Sequence, residues 1–443
     1  EEILKLFPES VYENQFGTVG VKIPTSNVQL LTSQIVEVTT YRLEGKYTDK
    51  RHPDEIKFAK TIEEDLGRRD FTVNAIALRV NTNLRIHTNT TNKEGLIDPF
   101  NGQTDLSDKI IRAVGESEKR FAEDALRLMR AVRFAAQLNF SIEKKTEAAI
   151  KKHAGLLGMI AKERIRDEFI KIIMTPRAKQ GIELLEELGL LKYILPELRE
   201  GIGVGQNKHH IYSVWEHNVR ALDYAVQKNF PLYMRLASLL HDIGKPKTKA
   251  GDGPDSTFYN HDAVGARMAA KALDRLVFPK DITEKVVHLV RFHLFYYNVG
   301  EVSEAGVRRF IRRVGPESID DLLKIREADR IGSGVPKAVP YKLRHLQFMI
   351  EKVKADPISA KMLKVNGEDV MKIAGLEPGP KIGQILAVLL EEVIEEPTQN
   401  SSEYLEARIK DLAKLSEEEL VKMAKQAKET KEEFEGGIEE EMK

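Results

Sequence analysis

The apolar pattern of this chain changes once, at about Ser117, and this change constrains the fold more than any other feature. Before Ser117, short stretches alternate between apolar and polar residues, which is the period of half-buried strands. After Ser117, the apolar positions recur at helical spacing over most of the remaining chain. We therefore predict an α+β region at the N-terminal end, followed by an all-α remainder.

The α+β region is predicted to hold three strands, at residues 18–23, 34–42 and 74–80. The polar segment 43–64 contains Gly45 and Pro53 and is predicted to be a long mobile loop. In the helical region, Ser117 is predicted to be the N-cap of a helix that carries residues 120–138. Further helices are predicted at 142–152, 162–173 and 178–188.

Two breaks divide the helical region. Residues 201–208 are rich in glycine, and residues 336–340 begin and end with proline. Near the C-terminus, Ser416 and Glu419 have the spacing of a capping box, which predicts that a helix begins there. We predict boundaries at these breaks and at the end of the α+β region, giving domains at 1–115, 116–200, 201–335 and 336–443.

Composition excludes several classes of protein. The 443 residues include no cysteine, which rules out disulfides, thiolate zinc sites and cysteine nucleophiles and fits a cytoplasmic protein. No apolar run is long enough for a transmembrane helix, so no membrane partner is expected. The 69 basic residues equal the 69 acidic ones, so net charge does not announce a nucleic-acid partner. Basic residues do cluster locally, at Arg308, Arg309, Arg312 and Arg313.

An arginine pair precedes an acid at the start of the third predicted strand. Arg68 and Arg69 are suited to gripping triphosphate oxygens with paired hydrogen bonds. Asp70 can accept hydrogen bonds from ribose hydroxyls, and Asn74 can fix the loop backbone or the sugar. The alternative interpretation is a surface group of ion pairs at a strand start.

Four charged residues, Asp124, Arg127, Arg130 and Arg133, are spaced by three on the predicted helix. Asp124 and Arg127 are near neighbours on such a helix, whereas Arg133 points well away from Asp124. A carboxylate beside a guanidinium fork matches the amino group and ring nitrogen shared by cytosine and adenine. Uracil and guanine would leave polar groups unpaired, at roughly 1–3 kcal/mol per group. The alternative is a helix with ordinary intrahelical salt bridges.

Three motifs, in order, resemble the class II CCA-adding tRNA nucleotidyltransferases and their bacterial poly(A) polymerase relatives. They are residues 68–77 (RRDFTVNAIA), 98–112 (DPFNGQTDLSDKIIR) and 120–134 (RFAEDALRLMRAVRF), and the likeness continues at 163–168, 379–383 and 400–405. The resemblance implies a polymerase-beta-like head and transfer of CMP and AMP from CTP and ATP to a tRNA 3′ end. It implies that Arg69 contacts the nucleotide, Asp70 the ribose, and Asp124 and Arg127 the incoming base. Arg130 and Arg133 are implied to hold phosphates or to order the pocket.

The sequence departs from this family at its N-terminal end. The family carries a Gly-Gly turn and an Asp-x-Asp pair that holds two Mg²⁺ ions, and residues 1–48 of this sequence contain neither. Glu37 stands where the family places a supporting carboxylate, but one carboxylate cannot replace two as a magnesium cage. We therefore predict an N-terminally incomplete copy of an active enzyme. The alternatives are a separate subunit that supplies the missing part and a retired enzyme.

A second constellation lies in the histidine-rich region. Adjacent His241 and Asp242 follow an apolar helix and can both turn toward one metal ion, Mg²⁺ or a divalent transition metal. The order of His217, His241-Asp242 and Asp329 resembles the HD phosphohydrolase superfamily, which implies that these four residues bind the metal. His261 and His288 are implied as contacts for a second metal or for phosphate, His293 is as good a candidate as His288, and Lys245 is implied as a phosphate partner. The alternative is a helical domain whose histidines are structural.

We interpret the sequence as a CCA-adding tRNA nucleotidyltransferase with an incomplete head, an all-α neck and body, and an internal all-α HD domain. The sequence leaves two alternatives open. A poly(A) polymerase of the same family would share nearly every motif. An HD phosphohydrolase or RNA-binding protein with an inactive transferase head is the other. The sequence leaves the oligomeric state open.

Overall fold

The computed structural model describes residues 2–7, 10–12, 18–23, 34–44, 56–79, 95–207 and 211–426. The chain divides into two compact units, Glu1–Pro196 and Glu197–Lys443. In the described residues every strand lies before residue 143. Beyond it the described chain is helical or irregular, apart from an isolated β-bridge between Ala250 and Thr257. The predicted α+β region with an all-α remainder is therefore confirmed. The division into four domains stays a prediction.

The first unit opens with α1 and small antiparallel sheets. Its elements are α1 Glu2–Leu6, β1 Ser10–Tyr12, β2 Val19–Ile23, β3 Gln34–Val38, β4 Arg42–Glu44, β5 Ile56–Phe58, α2 Ile62–Gly67, β6 Ala77–Leu78 and β7 Leu96–Ile97. The strands pair in the order β1-β2-β3, and separately as β4-β5 and β6-β7. The strand predicted at 18–23 is confirmed, whereas the strand predicted at 34–42 is two strands that belong to different sheets.

Two other predictions for this region were wrong in part. The described ends of segment 43–64 are not loop, because β4 and β5 pair there and Thr61 caps α2 with a capping box; residues 45–55 lie outside the described residues. The strand predicted at 74–80 begins instead with a 3₁₀ turn at Thr72–Asn74. Asp70 accepts hydrogen bonds from the Phe71 backbone N–H and the Asn74 side chain, and this local bonding competes with strand pairing.

The rest of the first unit is mostly helical. It contains α3 Gly102–Asp108, β8 Ile110–Ile111, α4 Ser117–Glu123, α5 Leu126–Leu138, β9 Ser141–Ile142, α6 Lys144–His153, α7 Lys162–Ile173, α8 Ala178–Glu187 and α9 Leu191–Ile194, and α10 Pro196–Arg199 leads into the second unit. The predicted continuous helix over 120–138 was wrong. Asp124 is extended (φ −134°, ψ 106°) and its side chain accepts a hydrogen bond from Leu126 N, so α4 ends and α5 begins there. Ser117 is the first residue of α4 rather than its N-cap.

The second unit is built from helices throughout its described residues. They are α11 Val214–Gln227, α12 Leu232–Leu240, α13 Lys245–Thr248, α14 His261–Arg275, α15 Lys280–Phe292, α16 Glu304–Val314, α17 Ile319–Gly332, α18 Tyr341–Val353, α19 Gly367–Ala374, α20 Pro380–Glu395, α21 Ser402–Ala413 and a final helix at 417–426. The predicted breaks at 201–208, as far as residue 207, and at 336–340 lack helix and strand, as expected. The capping box of Ser416 and Glu419 is confirmed.

The arginine cluster on α16 is paired within this unit. Arg308 donates to Asp356 and to the Ile394 carbonyl, while Arg309 pairs with Glu391 and Glu395 on α20. These carboxylates offset most of the local positive charge. Among the described residues, no helix combines the length and apolar content that crossing a bilayer requires.

Gly244 allows two helices of the second unit to approach closely. A Cβ at this position would lie 2.2 Å from the His261 carbonyl oxygen and 2.6 Å from Gly265 N. We expect Gly244→Ala to lower the free energy of unfolding by about 3 kcal/mol, because backbone must move. Urea unfolding measures this, with Gly205→Ala as control, since its Cβ would meet nothing within 4 Å. Equal stability of the two variants would show that α14 can shift freely.

Candidate functional site

One buried carboxylate holds the arginine pair of the first unit. Asp65, 3% exposed, accepts from Arg68 Nε at 3.0 Å and from Arg69 Nη2 at 3.3 Å. The Arg68 side chain is 14% exposed and that of Arg69 is 42% exposed. Arg69 therefore offers the more accessible guanidinium to a ligand. Asp65 was not predicted from the sequence, although its spacing of three and four residues from the arginines is typical of contacts on a helix.

Asp70 follows the arginine pair in the chain and bonds Arg130 of helix α5. Its carboxylate is 7% exposed and accepts from the Phe71 N–H, from Asn74 Nδ2 at 3.1 Å and from Arg130. The Arg130 Nε and Nη2 atoms both lie 2.6 Å from Asp70 Oδ2. Three predicted site residues, Asp70, Asn74 and Arg130, thus lie together, although Asp70 and Arg130 are 60 positions apart in the sequence. A ribose hydroxyl would have to join or displace these protein donors.

The two predicted base-reading residues make separate contacts. Asp124 accepts from Arg164 Nη2 at 3.0 Å, because it stands at the break between α4 and α5 rather than on one helix with Arg127. Arg127 is 8% exposed and donates to Glu123 Oε2 at 2.7 Å and to the carbonyl oxygen of Arg68 at 3.2 Å. The prediction that one continuous helix carries both residues was therefore wrong, although Arg127 N still donates to the Asp124 carbonyl oxygen at 3.1 Å. Arg164 and Glu123, which contact these two predicted site residues, were not assigned from the sequence.

Arg133 lies in a buried ion pair on the far side of α5. Its Nε atom is 3.0 Å from Glu168 Oε1, and Glu168 is 2% exposed. Its guanidinium carbon lies 4.2 Å from the centre of the Phe134 ring. Burial lowers the pKa of Arg133, while the charge of Glu168 opposes that effect. This setting favours the pocket-ordering role over direct phosphate contact.

Glu37 lies on β3, opposite Gly20 of β2, and is exposed. An exposed carboxylate on a strand is accessible to a metal ion, but nothing in its position selects one. Its catalytic role stays a prediction.

Four predicted ligands converge in the second unit. His217 comes from α11, His241 and Asp242 follow α12, and Asp329 comes from α17, and their ligand atoms all lie within 4.8 Å of one another. His217 Nε2 is 2.8 Å from His241 Nε2 and 3.0 Å from Asp242 Oδ2. All four are buried. Two imidazoles and two carboxylates around one point match the donor set of a divalent metal.

Asp242 also belongs to a second group. Its other oxygen, Oδ1, lies 3.3 Å from His261 Nε2 and 3.4 Å from His293 Nε2. The structure therefore chooses His293, and the predicted His288 was wrong. His288 lies five residues earlier on α15, which turns its side chain by about 140° on a helix of 3.6 residues per turn. Its ring packs against Phe292 instead.

Backbone carbonyls orient three of these imidazoles. The Nδ1 atoms of His241, His261 and His293 donate to the carbonyl oxygens three residues earlier, at 2.9, 2.7 and 2.7 Å. A carbonyl only accepts, so Nδ1 carries the proton and Nε2 presents its lone pair. Metal-binding histidines are commonly held in this way. The histidines are therefore arranged as ligands, which disfavours a purely structural role.

The electrostatics keep both carboxylates ionised. Burial alone would raise the pKa of Asp242, but Lys245 and the surrounding imidazoles hold it well below its ordinary value. Burial acts in the same way on Asp329, and Arg326 with His217 and His241 holds its pKa well below the ordinary value. The two carboxylates outweigh burial at His217 and raise its pKa. A bound metal would therefore compete with a proton on His217.

Cationic side chains line the cavity beside the metal ligands, which measures about 310 Å³. Lys245 Nζ lies 2.6 Å from Asp242 Oδ2 and 2.7 Å from Gln206 Oε1. Arg326 and Arg330 line the same cavity. Lys245 was predicted as a phosphate partner, whereas the two arginines were missed. The only sequence signal for them was their position near Asp329, with Arg326 three residues before it and Arg330 one residue after it.

Three family models match the chain. The poly A polymerase head domain matches residues 1–112, the RNA- and SrmB-binding site of polymerase A matches residues 139–202, and tRNA nucleotidyltransferase domain 2 matches residues 262–409.

Curated relatives cover most of the chain. The A-adding tRNA nucleotidyltransferase of Deinococcus radiodurans is 38% identical over 353 residues, which are 76% of this chain and 76% of the relative. The CC-adding tRNA nucleotidyltransferase of Thermus thermophilus is 34% identical over 74% of this chain and 73% of the relative. The CCA-adding enzyme of Lactobacillus helveticus is 30% identical over 93% of this chain and 86% of the relative.

A solved structure has the same fold. The Bacillus stearothermophilus CCA-adding enzyme in complex with CTP superposes with a TM-score of 0.64 and 26% identity, over 93% of this chain and 85% of that one.

Proposed function

This chain belongs to the tRNA nucleotidyltransferase family, and on that premise we propose that it transfers CMP and AMP from CTP and ATP to the 3′ end of tRNA. One observation carries the proposal. Arg127 donates to the carbonyl oxygen of Arg68, 59 residues away, which joins the residues assigned to the base to those assigned to the triphosphate. A nucleotide that spans this contact would meet Arg69 at its phosphates and Asp70 at its ribose.

Base selection follows from the hydrogen-bonding groups. The Asp124 carboxylate accepts from the amino group of cytosine or adenine, and Arg127 donates to the neighbouring ring nitrogen. Both side chains must first release Arg164 and Glu123, their present partners. A correct base replaces these contacts, whereas uracil or guanine leaves donors and acceptors unpaired. No nucleic-acid template is needed.

We assign Mg²⁺ to the transfer reaction, where a bound ion would neutralise charge on the leaving pyrophosphate. Glu37 is the residue we assign to it in this sequence. Residues 1–48 contain no aspartate, and a single exposed carboxylate does not fit a magnesium cage. Glu37 alone therefore does not form a magnesium site.

The proposal is tested with tRNA transcripts that end before CCA, after the first C and after the second C. We expect CTP and ATP to bind in preference to UTP and GTP, and sequenced ends that gain the missing C, C and A would show that residues other than Glu37 complete the magnesium site. Addition of A alone would indicate an A-adding enzyme, and addition of C alone would indicate a CC-adding enzyme. Relatives with each of these names match the chain. Long A tails would favour a poly(A) polymerase. Equal binding of all four triphosphates would overturn the base-reading proposal.

We propose a second activity for the second unit, metal-dependent hydrolysis of phosphate mono- or diesters, including cyclic phosphates at damaged RNA ends. The two groups of buried histidines and aspartates that share Asp242 support this proposal. His217, His241, Asp242 and Asp329 would hold a divalent metal ion, which would lower the pKa of a water for attack on phosphorus. In that hydrolysis the water oxygen bonds to phosphorus, one P–O bond breaks, and the proton of the water passes to the departing oxygen. Lys245, Arg326 and Arg330 are positioned to offset the charge of the phosphate.

The remaining helices have a proposed role as well. We assign residues 336–443 to binding tRNA by shape and phosphate contacts. We also place the enzyme in the cytoplasm, because a chain without cysteine needs no oxidising compartment. An inactive head on an HD phosphohydrolase or RNA-binding protein remains the alternative, and the transfer assay distinguishes it.

A further inference from the structure

A groove of about 670 Å³ adjoins the metal cavity of the second unit. It lies between residues 295–298 and the first turns of α18. Arg326 and Arg330, one helical turn apart on α17, line both the groove and the metal cavity. Asp329, a predicted metal ligand, stands between them in sequence. A ligand held at the metal by these arginines would therefore extend directly into the groove.

Aromatic rings form much of the groove. Phe295, Tyr296, Tyr297 and Tyr341 line it. Tyr341 is 62% exposed, although its ring lies 6.0 Å from that of His345. His345 in turn hydrogen-bonds the Tyr297 hydroxyl, so the rings support one another. An exposed aromatic face in a supported position is suited to stacking on a flat ligand.

The charges of the groove favour an anion. Its charged lining residues are Arg326, Arg330 and Lys342, which are all cationic. Arg326 already pairs with Asp329, but an apolar peptide segment would desolvate Arg330 and Lys342 without pairing them. A nucleotide satisfies both features, because its base stacks on aromatic rings and its phosphate pairs with guanidinium groups. The volume falls within the usual range for small-ligand sites.

We propose that this groove is a base-binding subsite of the metal centre. It accepts the base of a nucleotide, or of the terminal nucleotide of an RNA, whose phosphoester lies at the metal between Arg326 and Arg330. The proposal rests on the hydrolase activity proposed above and specifies its substrate class.

The test compares two cyclic phosphodiesters that differ in the base. Adenosine 2′,3′-cyclic phosphate carries one, and glycerol 1,2-cyclic phosphate does not. With Mn²⁺ and the full chain, we expect Tyr341→Ala to raise KM for the nucleotide about tenfold, as expected for a lost stacking contact, with kcat unchanged. KM for the glycerol ester stays the same. Phe348→Ala is the matched control, because Phe348 is 64% exposed on the same helix, two turns away, and it should change neither constant.

A binding measurement separates the subsite from the hydrolase. Calorimetry with Mn²⁺ compares adenosine 2′-monophosphate with glycerol 2-phosphate. If neither ester is hydrolysed but the nucleotide binds more tightly and Tyr341→Ala removes that difference, the hydrolase proposal fails and the subsite stands. If the nucleotide binds no more tightly than glycerol phosphate, the subsite proposal is overturned. It is also overturned if Tyr341→Ala weakens both ligands alike or weakens neither.

Discussion

Replacing Asp242 with alanine is expected to abolish metal binding in the second unit and to lower phosphoester hydrolysis roughly a thousandfold or more. Asp242 is the residue common to both ligand groups, with Oδ2 near His217 and Oδ1 near His261. Its loss therefore removes a ligand from each group at once. Binding of CTP and ATP should be unchanged, since the residues assigned to the nucleotide lie in the first unit.

Metal content after dialysis and thermal unfolding with and without Mn²⁺ measure this effect. Wild-type protein should gain stability from the metal, because a ligand that binds only the folded state raises Tm. The variant should gain none. Asp242→Ala also leaves Lys245 buried without its carboxylate partner, which should lower the free energy of unfolding by about 3–5 kcal/mol. Asp242→Asn, which keeps the shape, therefore serves as the second variant.

Asp252→Ala is the control, because Asp252 is an exposed aspartate of the same unit. It should keep the metal and the hydrolysis. Full metal content in a folded Asp242→Asn protein would contradict the assigned centre.

Replacing Arg127 with lysine is expected to remove the preference for CTP and ATP over UTP and GTP. Lysine keeps the charge but lacks the fork that donates to a base edge and to the Arg68 carbonyl in one plane. With about 1–3 kcal/mol lost per unpaired group, the preference should fall roughly 5- to 150-fold. The affinity for the triphosphate itself should change little, because Arg69 is intact.

Equilibrium binding of the four triphosphates measures this preference. Arg120→Lys is the matched control, because Arg120 pairs with the same Glu123 carboxylate but has no assigned contact with the base. It should retain the selectivity. Unaltered selectivity in Arg127→Lys, or an equal loss in both variants, would remove Arg127 from the base-reading role.

Much of the architecture follows from local pattern. The change to helical spacing, the glycine-rich break before α11, and the bounds of α7 depend on contacts between near neighbours, so the sequence carries them directly. Helix breaks at which a polar side chain bonds a nearby backbone N–H were not predicted. Asp124 interrupts a helix whose apolar period runs through it, because its side chain bonds Leu126 N instead of facing outward.

The sequence by itself determined which chemical groups this protein possesses: the arginines and aspartates of the first unit and the order of His217, His241, Asp242 and Asp329. Only the tertiary structure decided which of them meet. It selected His293 over His288, paired Asp124 with Arg164, and set Arg326 and Arg330 between two cavities. The physical reason is distance along the chain. Spacing predicts contacts within a helical turn, whereas contacts between remote segments depend on how whole helices pack.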